Sequence, residues 1–285
     1  MTAALDELVR LLDLEPIEVN IFRGMSPDEK RQRVFGGQVA GQALIAAGRT
    51  VERDRLVHSL HAYFLRPGDP NVPILYDVDR IRDGRSFATR RVVAIQHGRP
   101  IFNLSASFHV VEPPGMEHQM PMPETPEPET LPTFQERMKP WAERMGDWYH
   151  RPRPIDLRFV DAPIQTRGAD RPAEQRVWFR ADGKLPDDPL LHACVVAYAS
   201  DMTLLDTVML PHRVTFDDAN LVGASLDHAM WFHGPFRADE WLLYAQESPA
   251  ASGARGLAQG RIFRRDGRLV ASVVQEGLIR WTPGR

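Results

Sequence analysis

The sequence predicts an α+β protein of two tandem halves, each one long helix followed by an antiparallel meander. Three observations carry this. The stretch from Glu112 to Pro140 is dense in proline and acidic residues, so it cannot continue a helix or a central strand and reads as a linker. The segments on either side of it share an order of features, a weak internal repeat. Each segment also ends in two strand-like runs joined by a turn signal, His97-Gly98 in the first and the stronger Asp266-Gly267 in the second.

The expected boundaries are therefore 1–112 for the first domain, 113–150 for the linker and 151–285 for the second domain. The opening "MTAALDELVRLLDLEPIE" is acidic and amphipathic, not a basic region followed by an apolar core, so no export leader is expected there. "VFGGQVAGQALIAAGRTV" gives a helix at Phe35 to Arg49, and its small residues Gly37, Ala40, Gly41 and Ala47 would let the backbone approach a sheet wrapped around it. Strands follow in "LVHSLHAYFLRPGD" and "SFATRRVVAIQHGRPIFNLSASFHV". The second half repeats the order with "LLHACVVAYASDMTLL", "SLDHAMWFHGPF" and "ARGLAQGRIFRRDGRLVASVVQEGLIR".

Bulk properties exclude several classes. A chain of 285 residues suits about two domains, each able to bury a core. With 43% apolar residues, 26% charged residues and a formal charge of -3, it offers no basic surface to nucleic acid or to an anionic membrane. No stretch approaches the ~18 apolar residues of a membrane span. Cys194 is the only cysteine, which excludes an intrachain disulfide and a multi-cysteine metal site and fits a reducing compartment, so a cytoplasmic location is expected. The C-terminal "TPGR" is no retention or peroxisomal address. No metal and no cofactor are expected. His58 and His61 fall on opposite faces of a strand, and the glycine-rich "FGGQVAG" and "GARGLAQG" lack a phosphate-loop lysine. Cys194 sits in an apolar helix-like run as a small core residue.

Three polar residues stand out. In "GRLVASVVQEG" a period of two puts Gln275 on one face with Leu269, Ala271 and Val273. A buried amide without partners costs roughly 1–3 kcal/mol, so something polar should meet it, either a neighbouring strand or a site. Asp201 ends the apolar run "VVAYAS", where it serves either as a cap or as a functional carboxylate; Asp206 lies five residues on. Ser225 in "GASLDHAMWF" is either a strand serine bonded to backbone or a ligand of water. Asp227 and His228 are adjacent strand residues that point to opposite faces, so they cannot both serve Ser225 in a triad, and no Gly-x-Ser-x-Gly elbow occurs.

Four motifs in order, "VFGGQVAGQAL", "VHSLHAYFLRPGD", "LDHAMWFHGPFRADEWLLY" and "DGRLVASVVQEGLIR", resemble the acyl-CoA thioesterase II family, and the likeness runs from about Leu11 to Arg280. The resemblance implies two fused hot-dog domains, each a long helix wrapped by an antiparallel sheet, acting on acyl-CoA. It implies catalytic roles for Asp201, not Asp206, and for Ser225 and Gln275. The commonest family pattern has Thr where this chain has Ser225, so the hydroxyl is kept and the stiffening methyl lost.

The chemistry so implied is a single displacement. Asp201 orients and deprotonates water, Ser225 and Gln275 complete its coordination, and helix-start N–H groups, with the Gly36-Gly37 turn as one candidate, meet the oxyanion. A free Asp titrates near pH ~3.9, so burial must raise its pKa or limit it to hydrogen bonding. Two other readings are a non-catalytic acyl-CoA-binding protein and a hot-dog enoyl-CoA hydratase. The hydratase needs a His close to its Asp, and the next one after Asp201 is His212. Exposed sheet edges lead to the expectation of a homo-oligomer.

Overall fold

The structure is a computed structural model and describes residues 2–27, 32–113, 115–166 and 171–282. Pro114 of the linker and residues 283–285 of the C-terminal "TPGR" lie outside the described residues.

Helix α1 (Ala3–Leu12) is opened by the Thr2 side chain, which accepts from Leu5 N–H, and buries Leu5, Leu8 and Leu12 on one face. A short hairpin, β1 (Glu15–Glu18) and β2 (Ile21–Gly24), precedes helix α2 (Gly36–Gly48). The meander β3 (Arg55–Phe64), β4 (Ile74–Asp83), β5 (Phe87–Gln96) and β6 (Arg99–Val110) completes the first half. After the short linker helices α3 (Phe134–Met138), α4 (Ala142–Met145) and α5 (Asp147–His150), the second half opens on the hairpin β7 (Ile155–Phe159) and β8 (Glu174–Ala181). It continues with α6 (Pro189–Ser200), α7 (Asp206–Met209), β9 (Leu221–Ser225), β10 (Asp227–Phe232), β11 (Leu242–Ser252), β12 (Arg255–Arg264) and β13 (Leu269–Trp281).

All strand pairs are antiparallel, in the order β1-β2-β4-β5-β6-β3-β10-β13-β12-β11-β8-β7, with β9 also paired to β13. The order reads as one half followed by its reverse, so the halves are related by a pseudo-twofold axis and meet where β3 pairs β10 from Asp227↔Tyr63 to Trp231↔Ser59. This is the double hot-dog arrangement. Each half also carries a leading hairpin that the sequence reading omitted. The reason is visible in β1, whose four residues are all exposed and so show no alternation.

The two central helices pack against each other. A Cβ on Gly37 would stand 2.4 Å from the Tyr198 carbonyl oxygen, one on Gly41 would stand 3.2 Å from that of Cys194, and one on Gly48 would stand 2.5 Å from Leu190. The partners run backwards along α6, so the helices are antiparallel. The small residues of α2 therefore serve helix-helix contact as well as contact with the sheet, which α2 meets through β4, β5 and β6. Both helices are buried nearly all round, as a helix between a sheet and another helix must be.

Phe134 and Met138 of α3 join the main core, whereas the first part of the linker lies on the sheet face turned away from the helices. There Trp178, Trp241, Leu243 and Phe263 form a second cluster, joined by Met122 and Leu131. Trp178 Nε1 donates to Pro126 O at 3.0 Å, Gln119 bridges Gly267 O and Leu269 N, and Arg265 pairs with Glu127 and Glu129. Among the described residues no helix is long and apolar enough to cross a membrane, and no group of three or more His, Cys, Asp or Glu side chains is placed to hold a metal ion.

Candidate active site

Asp201 is the C-cap of α6, the residue at which the chain leaves the helix. Because the helices are antiparallel, this end of α6 meets the start of α2. That start has no cap of its own, since the N-cap position is Phe35, which offers no side-chain acceptor. The Asp201 carboxylate supplies one across the domain boundary by accepting the Gly37 N–H. Gly36 is needed for the approach, because a Cβ there would stand 2.7 Å from Asp201 Oδ2 and 2.9 Å from the Phe64 ring.

Two side chains from the second half's sheet converge on the same carboxylate. Gln275 Nε2, on β13, donates to Asp201 Oδ1 at 2.6 Å. Ser225 Oγ, at the end of β9, donates to that oxygen at 3.4 Å. The structure thus brings together all three residues singled out in the sequence. Gln275 is fully buried, and its Oε1 has no partner among the described residues, which leaves a desolvated acceptor beside the carboxylate. Burial raises the Asp201 pKa from the usual 3.8 to about 6, against the opposing pull of Gln275, Gly37 and Ser225. The group is therefore ionised at neutral pH yet far more basic than a solvated aspartate.

The other acidic and imidazole groups do different work. Asp206, at the start of α7, is raised to about 7 by burial and by Asp217, and it accepts no hydrogen bond from any described residue. Asp227 accepts the Glu276 N–H at 2.6 Å and closes the sheet where the chain passes from β9 to β10. His228 turns away from Ser225 and meets Ser200 Oγ at 2.9 Å. Cys194 is buried, and burial pushes its thiol well up, so it is no nucleophile. The Gly37 N–H, part of the turn considered for an oxyanion, is already committed to Asp201. The cluster of Ser200, His228 and Tyr244 beneath Asp201 has no local signature, because its members come from a helix end and two separate strands.

The double hot-dog fold sets this carboxylate at the seam of its two helices, and comparison with known proteins supplies the class, a hydrolase acting on acyl-CoA thioesters. The family model described as acyl-CoA thioesterase matches residues 155–278, and that of the acyl-CoA thioesterase N-terminal domain matches residues 26–109. Acyl-coenzyme A thioesterase 8 of Mus musculus is 44% identical over 290 residues, covering 96% of this chain and 88% of that protein. Acyl-CoA thioesterase 2 of Haemophilus influenzae is 43% identical, covering 99% and 100%. The crystal structure of the acyl-CoA thioesterase II TesB2 from Mycobacterium marinum superposes with a TM-score of 0.79 at 46% identity, covering 98% of this chain and 99% of that one. The chain belongs to the acyl-CoA thioesterase II family.

Proposed function

We propose that the chain hydrolyses acyl-CoA to free fatty acid and CoA by direct attack of a water molecule held by Asp201, Ser225 and Gln275. The observation that carries this reading is the convergence of Gln275 Nε2 and Ser225 Oγ on one oxygen of a carboxylate whose pKa is raised to about 6. Water gives one proton to Asp201 as its oxygen bonds to the thioester carbon, and its second hydrogen faces the free Gln275 Oε1. The carbonyl π electrons move to oxygen, and when they return the C–S bond breaks and the CoA thiolate leaves with the electron pair. No acyl-enzyme forms. With the Gly37 N–H committed, the oxyanion falls to the remaining N–H groups of the α2 first turn, Gly36 and Gln38.

Further readings belong to the same proposal. The single buried Cys194 suits a reducing compartment, and we place the protein in the cytoplasm. The sheet ends on the edge strands β1 and β7, and pairing of copies through such edges supports a homo-oligomer. The deciding assay measures thiol release from palmitoyl-CoA and from a short-chain acyl-CoA beside hydration of crotonyl-CoA. Thiol release without hydration supports the thioesterase. Hydration without release points to a hydratase, and neither activity leaves a binding protein.

A further inference from the structure

Directly behind Asp201 lies a buried polar group that touches no reacting atom. Ser200, the last residue of α6, is fully buried. Its Oγ lies 2.9 Å from Ala197 O, 2.9 Å from His228 Nε2 and 3.5 Å from Met230 Sδ; with its one hydrogen assigned to the Ala197 carbonyl, His228 donates from Nε2. This agrees with His228 Nδ1, which is buried without a partner among the described residues, and with burial pulling the imidazole down to about 4, so that the ring is neutral. The Ser200 carbonyl, one of the orphan acceptors at the end of a helix, accepts the Tyr244 hydroxyl at 3.2 Å. Tyr244 is buried, and space for its ring depends on Gly260 of β12, where a Cβ would stand 2.2 Å from Cε2. The backbone has thus kept clear a slot for one phenol.

The Ser200 carbonyl belongs to the same rigid peptide plane as the Asp201 N–H. Fixing that oxygen fixes the plane that carries the Asp201 nitrogen and Cα, the point from which its side chain departs. We propose that Tyr244 is a positioning residue: with His228 behind Ser200, its hydroxyl locks the Ser200–Asp201 peptide and so holds the carboxylate in register with Ser225, Gln275 and the start of α2. The proposal rests on the reading of Asp201 as the base. Tyr244 and His228 come from β11 and β10, so the lock ties the base to the sheet that carries its partners, and small displacements of a base are expensive in rate.

The test is a double-mutant cycle of Tyr244→Phe and Asp201→Asn, reading kcat, KM and the thermal midpoint of each variant. Tyr244→Phe should lower kcat roughly 10-fold with KM within about twofold, because it disturbs alignment and not substrate contact. In the Asp201→Asn background the same change should cost less than about twofold, since no base remains to be positioned. Equal losses in both backgrounds, or an undiminished kcat for Tyr244→Phe beside a slow Asp201→Asn, would overturn the lock while leaving the base in place. A fully active Asp201→Asn would remove the base and the lock together. Should Tyr244→Phe not accumulate as folded protein, Tyr244→Met, which likewise removes the hydroxyl that meets the Ser200 carbonyl, enters the same cycle, with the same loss and the same silence expected.

Discussion

At one end of the α2–α6 pair an aspartate closes α6 and caps its neighbour, whereas at the other end an arginine closes α2 and α6 caps itself. Asp201 occupies the first position. Arg49 occupies the second, bonded to Leu14 O and Asp13, while the start of α6 is served by its own Asp188, which accepts from the Leu190 and Leu191 N–H groups. The sheets differ in the same way. Ala106 stands as far beyond the Gly98 turn as Gln275 does beyond Gly267, and the residue paired across from Ala106 is Arg90, where Gln275 faces Ala258. By the same counting Val57, paired with Phe108, takes the place of Ser225, paired with Gly277. The first half fills its pseudo-equivalent site with the Arg90 side chain, buried and bonded to Thr50, Arg82 O and Asp83. The two like backbones thus carry the Asp201, Ser225 and Gln275 cluster in one half and a plug in the other. What separates them is three side chains and the identity of two helix-ending residues.

The comparison can be broken most severely at its acidic pole. Asp201→Asn should lower thioesterase turnover by about 10² to 10⁴ while leaving the fold intact, measured by thiol release and circular dichroism. It should also stabilise the protein. The folded-state pKa lies above 3.8, so the cost of holding the carboxylate ionised grows as pH rises from 3.8 through about 6 and is present in full at pH 7. That interval bounds the gain at about 3 kcal/mol; about 1–2 kcal/mol is expected in thermal unfolding, because an Asn oxygen replaces a charge-assisted acceptor.

Gln275→Ala gives the second half the residue found in the first and should cost about 10² in kcat/KM. The amide donor lowers the Asp201 pKa, so without it the base titrates above about 6 and the acid limb of the pH–rate profile should move to higher pH. A profile of reduced height with an unmoved limb would separate Gln275 from the carboxylate. The smallest effect is expected at the plug. Arg90→Leu strands the Thr50 and Arg82 carbonyls and should cost about 2 kcal/mol of stability, with kcat/KM within about threefold of the parent. A large catalytic loss there would mean that the first half does more than support.

Much of this contrast was legible before any coordinates. The period of two put Gln275 with Ala271 and Val273 on the apolar face that proves to be the helix face. A register shift at Ile262/Phe263 beside the Asp-Gly turn, however, sends Leu269, expected on that face, to the opposite cluster around Trp178 and Trp241. What stayed hidden was non-local. Periodicity shows which side of α2 is small, but not that Tyr198 and Cys194 of another helix lie against it. The cap that α2 lacks is found far along the chain, in Asp201, so no local capping rule could supply it. The interruption at Leu226 between β9 and β10 falls within one continuous strand-like run, and only Asp227 bonding back to Glu276 N reveals it. His97 adopts a positive φ of 49° beside Gly98, and so makes the turn that the His-Gly pair signalled more weakly than Asp-Gly.

The Gly37 amide of the first half donates to the Asp201 carboxylate of the second, so the two halves are not independent of each other. The first half has neither a carboxylate nor an amide at the matching places, yet it lends one hydrogen across the seam. A graft that kept the second domain and replaced the first with an unrelated fold would therefore carry the reacting groups without the neighbour that steadies them.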